Sequence, residues 1–112
     1  MKLKHLDLLK GTLALLILRS LKGQKQHGHG IMKWIRASSD DTFSIEEGAI
    51  YPALHRLEGA KLIESEWGTT ANNRQAKFYR LTPSGRRRLV LETQQWKRYV
   101  AAFDQILGTV GS

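Results

Sequence analysis

A chain of 112 residues is the size of one folded core, and the absence of cysteine excludes a disulfide scaffold or thiolate-ligated zinc and fits an intracellular, cytoplasmic protein. Its formal net charge of +8, from 18 Lys and Arg against 10 Asp and Glu, fits a polyanionic partner. The apolar run 13–18 stops at Arg19, far short of the ~20 residues of a membrane span, and no small-residue cleavage pattern follows it, so no membrane partner is expected.

Residues 1–10 interleave Lys2, Lys4, His5 and Lys10 with leucines, a pattern that either starts a helix or forms a basic arm. From Gly11, the apolar residues Leu13, Leu15, Leu16, Ile17, Leu18 and Leu21 occupy more than one stripe, so this helix needs cover from more than one side. One cover is its own domain. The other is a second subunit, with Leu13, Leu16 and Ile17 expected at the shared face, and Gly23 closes the helix. His27-Gly28-His29-Gly30 then leads into Ile31, Trp34 and Ile35 at helical spacing. Two histidines so close invite a metal reading, but no set of nearby carboxylates or imidazoles completes a tetrahedron. No metal is expected, and the glycines read as permitting close helix packing. A polar turn at 37–41 follows, then Phe43, Ser44 and Ile45 as a very short strand or an extended lead-in.

The stretch 46–58 has its apolar residues at Ile50, Ala53, Leu54 and Leu57, the i, i+3, i+4, i+7 spacing of a helix with one buried stripe. Its other face carries Gly48, Tyr51, Pro52, His55 and Arg56, where a helix facing only water more usually shows Glu and Lys. Either Tyr51 and His55 merely satisfy local hydrogen bonds, or this face lies close against something flat and anionic. Pro52 deprives the Gly48 carbonyl of its partner, so the helix starts near Glu46 or Glu47 and bends, or becomes regular only later.

Gly59-Ala60-Lys61 reads as a helix end. Residues 62–67 and 76–81 alternate with a period of two around a turn-rich 68–75, which makes a β-hairpin with a basic tip. From Trp67 to Leu91 there are six basic residues, Arg74, Lys77, Arg80, Arg86, Arg87 and Arg88, and no acidic one. Helix, helix, helix, hairpin is the order of a winged helix-turn-helix, whose third helix enters the major groove while the wing reaches along the backbone or into the minor groove.

Thr82-Pro83 is a helix start, with Thr as cap and Pro at the first helical position, and Gly108 is the stop. Leu89, Trp96 and Phe103 recur every seven residues, Tyr99 and Ile106 add a second seam, and Val100 and Leu107 widen it. A heptad stripe this long favours pairing of helices across a dimer, the alternative being packing on the first helix of the same domain. Arg86, Arg87 and Arg88 sit where the macrodipole disfavours cations by ~0.3–1 kcal/mol, a cost that phosphate would offset. Trp96 on the seam is either plain interface core or, with its twin, the wall of a site for a flat aromatic molecule. The fold class is therefore mainly α with a small β-hairpin: a winged helix-turn-helix DNA-binding domain over 1–82 and a C-terminal dimerisation helix with a frayed tail over 83–112.

Gly48-Ala49-Ile50-Tyr51-Pro52-Ala53-Leu54-His55-Arg56-Leu57-Glu58, then Leu62-Ile63-Glu64-Ser65-Glu66-Trp67, then Arg74 with Lys77-Phe78-Tyr79-Arg80-Leu81-Thr82-Pro83-Ser84-Gly85, resemble the PadR family of bacterial transcriptional regulators. His27-Gly28 ahead of Ile31 is similar to the family's second-helix motif, and the resemblance spans about residues 9–103. The single C-terminal helix is like the family's smaller subgroup. The resemblance implies a homodimer held by the last and first helices, binding a pseudo-palindromic operator and usually repressing a nearby gene. It also implies that Tyr51 and its helix neighbours face DNA and that the wing near Arg74 and Lys77 touches the backbone. The chain departs from the family at His29, where members often have Tyr, and at Glu46 and Glu47, where small or capping residues are common. Those carboxylates suit a helix N-terminus but repel phosphate.

The expected function is thus sequence-specific DNA binding by a homodimeric repressor. Tyr51, Pro52 and His55, with Gly48 allowing close approach, read bases, and Arg56, Arg74, Lys77 and Arg86 hold phosphates. Leu13, Leu16, Ile17, Leu89, Trp96, Tyr99, Val100, Phe103 and Ile106 form the dimer seam, with a small aromatic effector as a further partner at Trp96. The competing class is a winged-helix protein–protein or RNA-binding module without a specific operator. No phosphate loop, nucleophile triad or cofactor motif points to an enzyme or a cofactor.

Overall fold

The computed structural model describes residues 11–108, so the expected helix start or arm at 1–10 and the tail past Gly108 lie outside the described residues. The order is α1 (Thr12–Ser20), β1 (Gln26–His27), α2 (Gly28–Ser38), α3 (Glu47–Gly59), β2 (Ile63–Thr69), β3 (Gln75–Leu81) and α4 (Pro83–Leu107). This is the mainly helical winged arrangement that the periodicities call for, with one strand more than they show.

α1 buries Ile17 and Leu18 completely and leaves Leu13 and Leu16 half covered. Ser20 is inside as well, its hydroxyl donating to the Ile17 carbonyl at 2.6 Å, so that buried hydroxyl is not orphaned. Placing Ile17 at a subunit seam is corrected here: it belongs to the protomer's own core. Leu89 of α4 is corrected in the same way, being buried against that core. A heptad pattern marks positions that need cover but not which surface supplies it.

β1 is a strand of only two residues, too short to carry a period in the sequence. Gln26 and His27 pair antiparallel with Tyr79 and Phe78, giving a three-stranded sheet in the order β1-β3-β2. α2 follows without a break and sinks Ile31 and Ile35, while Trp34 stays half-buried beneath the Arg19 guanidinium, 5.4 Å from the ring centroid. Asp40 and Asp41 then turn the chain with left-handed φ of 50° and 67°, a region that aspartate tolerates. Phe43 makes only an isolated bridge, and Ile45 is buried just before α3.

α3 is regular from Glu47 and continues through Pro52. The expected stripe is inside: Ile50 and Leu54 are fully buried, each contributing about 1.5–3 kcal/mol relative to exposure. The helix ends in paired backbone bonds, Lys61 N–H to Glu58 O at 3.0 Å and Leu62 N–H to Leu57 O at 3.1 Å. This is a Schellman end with Lys61, not a glycine, at φ 62°.

β2 and β3 pair from Ile63↔Leu81 to Thr69↔Gln75, closed at the tip by Thr70 N–H to Arg74 O at 2.8 Å. At the other end of the hairpin the Leu62 carbonyl accepts from Thr82 N–H at 3.1 Å, and the Thr82 hydroxyl donates to Lys61 O at 2.8 Å. The same hydroxyl oxygen accepts from Gly85 N–H at 3.0 Å, capping α4 as expected. α4 has 25 residues, about 37 Å of helix, but only Gly85 and Leu89 in its first turns are buried.

A side chain at Gly85 would put its Cβ 1.9 Å from the Leu62 carbonyl oxygen, a backbone atom that cannot step aside. Gly85→Ala is therefore expected to destabilise the protein by about 1–3 kcal/mol in urea unfolding, whereas Ala at exposed Ser84 should change stability by less than about 0.5 kcal/mol.

Candidate nucleic-acid interface

The open side of α3 begins with Glu47. Glu47, Tyr51 and His55 lie at i, i+4 and i+8, one above the other on a single face. All three are exposed, as are Gly48, Pro52 and Arg56, and nothing stands within 4 Å of where a Gly48 side chain would begin. Among the described residues, the face that the sequence leaves without apolar residues thus stays largely open to solvent.

Tyr51 is 42% exposed, yet its ring is not free. It rests on Gly28 at the start of α2, where a Cβ would fall 2.7 Å from the ring edge and 2.8 Å from the hydroxyl. The expected role of the glycines, close packing, is met at this position by a tyrosine of the neighbouring helix. Partial burial, and then the Glu47 carboxylate, push the Tyr51 hydroxyl above its ordinary pKa. The phenol therefore keeps its proton at neutral pH and remains a hydrogen-bond donor.

The chain's departures at 29 and 47 meet in space, for His29 Nε2 lies 2.9 Å from Glu47 Oε1. His27, on β1, is pushed below its usual range by burial first and then by His29 and Lys33, which favours a neutral ring. That ring packs tilted against Phe78 with centroids 5.3 Å apart. Among the described residues no group of three or more His, Asp or Glu gathers around a common point.

On the wing, Arg74 projects from the tip, where its N–H donates to the Thr70 hydroxyl at 3.2 Å and Asn73 turns the loop with φ 59°. Lys77 is directly opposite Trp67, its ammonium 5.7 Å from the indole centroid. Trp67 went unassigned in the sequence. It alternates in phase with the core residue Ile63, yet it is 69% exposed. Arg80 is withdrawn from the basic stretch by Glu64 at 2.8 Å and Glu66 at 3.5 Å across the strands. Glu66 also takes Lys25 at 3.2 Å, and its carboxyl is held below the ordinary range by Lys25 and then Arg80. Arg74 and Lys77 have no carboxylate within ion-pair distance among the described residues. Arg86, equally unpaired, sits at the root of the hairpin, separated from the tip by a seven-residue strand of about 20 Å, so the structure does not bring it together with the wing cations.

The second uncovered surface is apolar. Trp96, Tyr99 and Phe103 stack along α4, with centroid distances of 5.6 and 4.7 Å, and Val100 and Ile106 extend the stripe. Phe103 is 46% and Ile106 82% exposed. Trp96 and Tyr99 also wall a cleft of about 480 Å³ against Gly11 and against Thr12 and Leu15 of α1.

A three-helix core, an uncovered helix face and a basic-tipped wing define a winged helix-turn-helix DNA-binding protein. The chain belongs to the Transcriptional regulator PadR-like family, which it matches over residues 17–90. That family comprises transcriptional regulators, not enzymes. A transcriptional regulator from Clostridium thermocellum has a similar structure, with TM-score 0.77 and 27% identity, covering 86% of this chain and 90% of that one. A PadR family transcription regulator from hypervirulent Clostridium difficile has TM-score 0.76 and 30% identity over 88% of this chain and all of that one. One from Eggerthella lenta has TM-score 0.73 and 31% identity, with 89% and 85% covered. Among the described residues no helix is long and apolar enough to cross a membrane.

Gly28→Ala is expected to swing the Tyr51 ring off α2 while changing stability by less than about 1 kcal/mol. Affinity for specific DNA should then fall about tenfold, the worth of one displaced contact, in a fluorescence-anisotropy titration; unchanged affinity would show that the ring's seat on α2 does not matter.

Proposed function

We propose that the chain is a homodimeric repressor that presents two copies of the α3 face to one side of a pseudo-palindromic operator. The observation that carries this reading is the pairing of two uncovered surfaces of opposite character on one protomer: a polar row on α3 and an aromatic stripe on α4. Monomeric proteins rarely leave contiguous apolar surface of this kind in water. A second α4, with half-covered Leu13 and Leu16 of α1 beside it, would bury Trp96, Tyr99, Val100, Phe103 and Ile106. In this division of labour residues 1–82 read DNA and 83–112 pair the subunits.

Tyr51, Pro52 and His55 then meet base edges, and the bare Gly48 lets the helix approach the groove floor. Arg56, Arg74 and Lys77 hold phosphates, with Arg86 as a separate contact at the hairpin root. Phosphate contacts position the protein and make binding salt-dependent, while base contacts select the site. A repressor of this design acts by occupying its operator. Its release is assigned to a flat aromatic effector stacked on Trp96, in a cleft whose volume of about 480 Å³ falls within the usual range for small-molecule sites. Seated between α1 and α4, such a molecule changes the spacing of the two α3 helices only through its unequal affinity for the two arrangements.

Arg74→Ala and Lys77→Ala should each weaken binding to operator and random DNA alike and reduce the salt slope by about one unit, whereas His55→Ala should alter sequence preference in a random-site selection. If the wing variants leave affinity untouched for both DNAs, the wing assignment is wrong.

Phe103→Glu, at a side chain exposed in the protomer, should yield a folded monomer by sedimentation, and planar aromatic compounds should quench the tryptophan emission of the wild-type dimer but not that of a Trp96→Phe variant. A wild-type monomer that binds DNA without sequence preference would instead favour the protein–protein or RNA-binding module. A dimer whose tryptophan emission ignores every aromatic compound would remove the effector from the account.

A further inference from the structure

The row on α3 starts with a carboxylate, and a carboxylate is a poor choice for a surface that approaches phosphates. Glu47 is nevertheless exposed there, with 61% of its side chain open, in the first turn of the helix and one turn before Tyr51. In helix-turn-helix proteins the first residues of the recognition helix are the ones that contact base edges. The proximity of Glu47 to the row is already visible in Tyr51, whose hydroxyl is shifted partly by the Glu47 charge.

Glu47 is also held. His29 Nε2 lies 2.9 Å from its Oε1, an ion-pair distance across α2 and α3. One oxygen thus faces α2, which leaves Oε2 available. Groove edges offer such an oxygen few partners. The N7 and O6 of guanine and the O4 of thymine are acceptors and repel it. The amino groups of cytosine at N4 and adenine at N6 are the major-groove donors, but adenine sets the N7 acceptor beside its N6, which repels a carboxylate, so cytosine is the better partner.

We infer that Glu47 is a base-reading residue that selects cytosine at one position of each half-site, and that His29 is the positioning residue that aims it. The inference rests on the proposed placement of α3 in the major groove. The carboxylate that would weaken binding against the backbone becomes a discriminator: it accepts from cytosine and penalises guanine or thymine at the same position. His29 and Glu47 are 18 positions apart and act as one unit, so His29 contributes to site choice without touching a base.

The test is random-site selection on the full chain with four proteins: wild type, Glu47→Gln, His29→Ala and His29→Gln. Wild type is expected to enrich cytosine at one position per half-site by about tenfold over other bases. Glu47→Gln should move that position to adenine, which a carboxamide reads through N6 and N7, and leave the other positions unchanged. His29→Ala should relax the cytosine preference there alone, and His29→Gln, which keeps a donor, should restore it. If Glu47→Gln tightens binding to all sequences equally, the carboxylate is only a repelling charge and the inference is overturned. If the Glu47 substitution moves the preference but His29→Ala does not relax it, the positioning role of His29 fails. If wild type enriches no site at all, the operator reading falls, and base reading by Glu47 falls with it.

Discussion

The end of α3 is tied directly to the start of α4, and that tie is made by Leu62, Thr82 and Gly85. The Leu62 N–H closes the last turn of α3, and its carbonyl takes the Thr82 N–H. The Thr82 hydroxyl reaches back to Lys61 O and caps Gly85. Gly85 has to be bare because the Leu62 carbonyl occupies the space of its side chain. Within these few residues the helix whose face is polar and uncovered is bonded to the helix whose face is apolar and uncovered. In the proposed dimer, any change in how two α4 helices meet is therefore handed to α3 through backbone hydrogen bonds, with no flexible linker between.

The two surfaces follow opposite physical rules. On α4 the aromatic ladder of Trp96, Tyr99 and Phe103 gains by leaving water, and its energy scales with area. On α3 little area is at stake. In the proposed complex what matters is that Tyr51 packs on Gly28, that Glu47 sits beside His29 and that Gly48 leaves a gap. A polar face with its side chains already placed loses less entropy on meeting DNA than one with free rotamers, so preorganisation there serves selectivity. The wing adds a third rule: Arg74 and Lys77 remain uncompensated while Arg80 is neutralised by two glutamates, which concentrates the positive field of the hairpin near its tip.

Elements with strong periodicity were legible in the chain itself. The stripe of Ile50, Ala53, Leu54 and Leu57, the alternation of the hairpin and the Thr82-Pro83 cap each state their structure locally, and the family resemblance draws on the same residues. What local pattern cannot carry is pairing across the fold. β1 is two residues whose status depends on Phe78 and Tyr79. Arg80 counts as free until the strand register sets Glu64 beside it. Ile17 and Leu89 bear the marks of a seam, but the protomer supplies their cover. His29 and Glu47 look like two unrelated departures until α2 and α3 are folded together. Trp67 has the phase of a core residue, and only the fold shows that it stays in solvent with Lys77 beside it.

The central claim is that the exposed row of α3 enters the major groove twice on one side of a duplex. Methylation interference on a selected operator tests it most directly, since guanine N7 faces the major groove and adenine N3 the minor. Guanine methylation in two clusters, one per half-site and about one helical turn or a multiple of it apart, should block binding. A single cluster, or interference confined to the minor groove, would contradict the account.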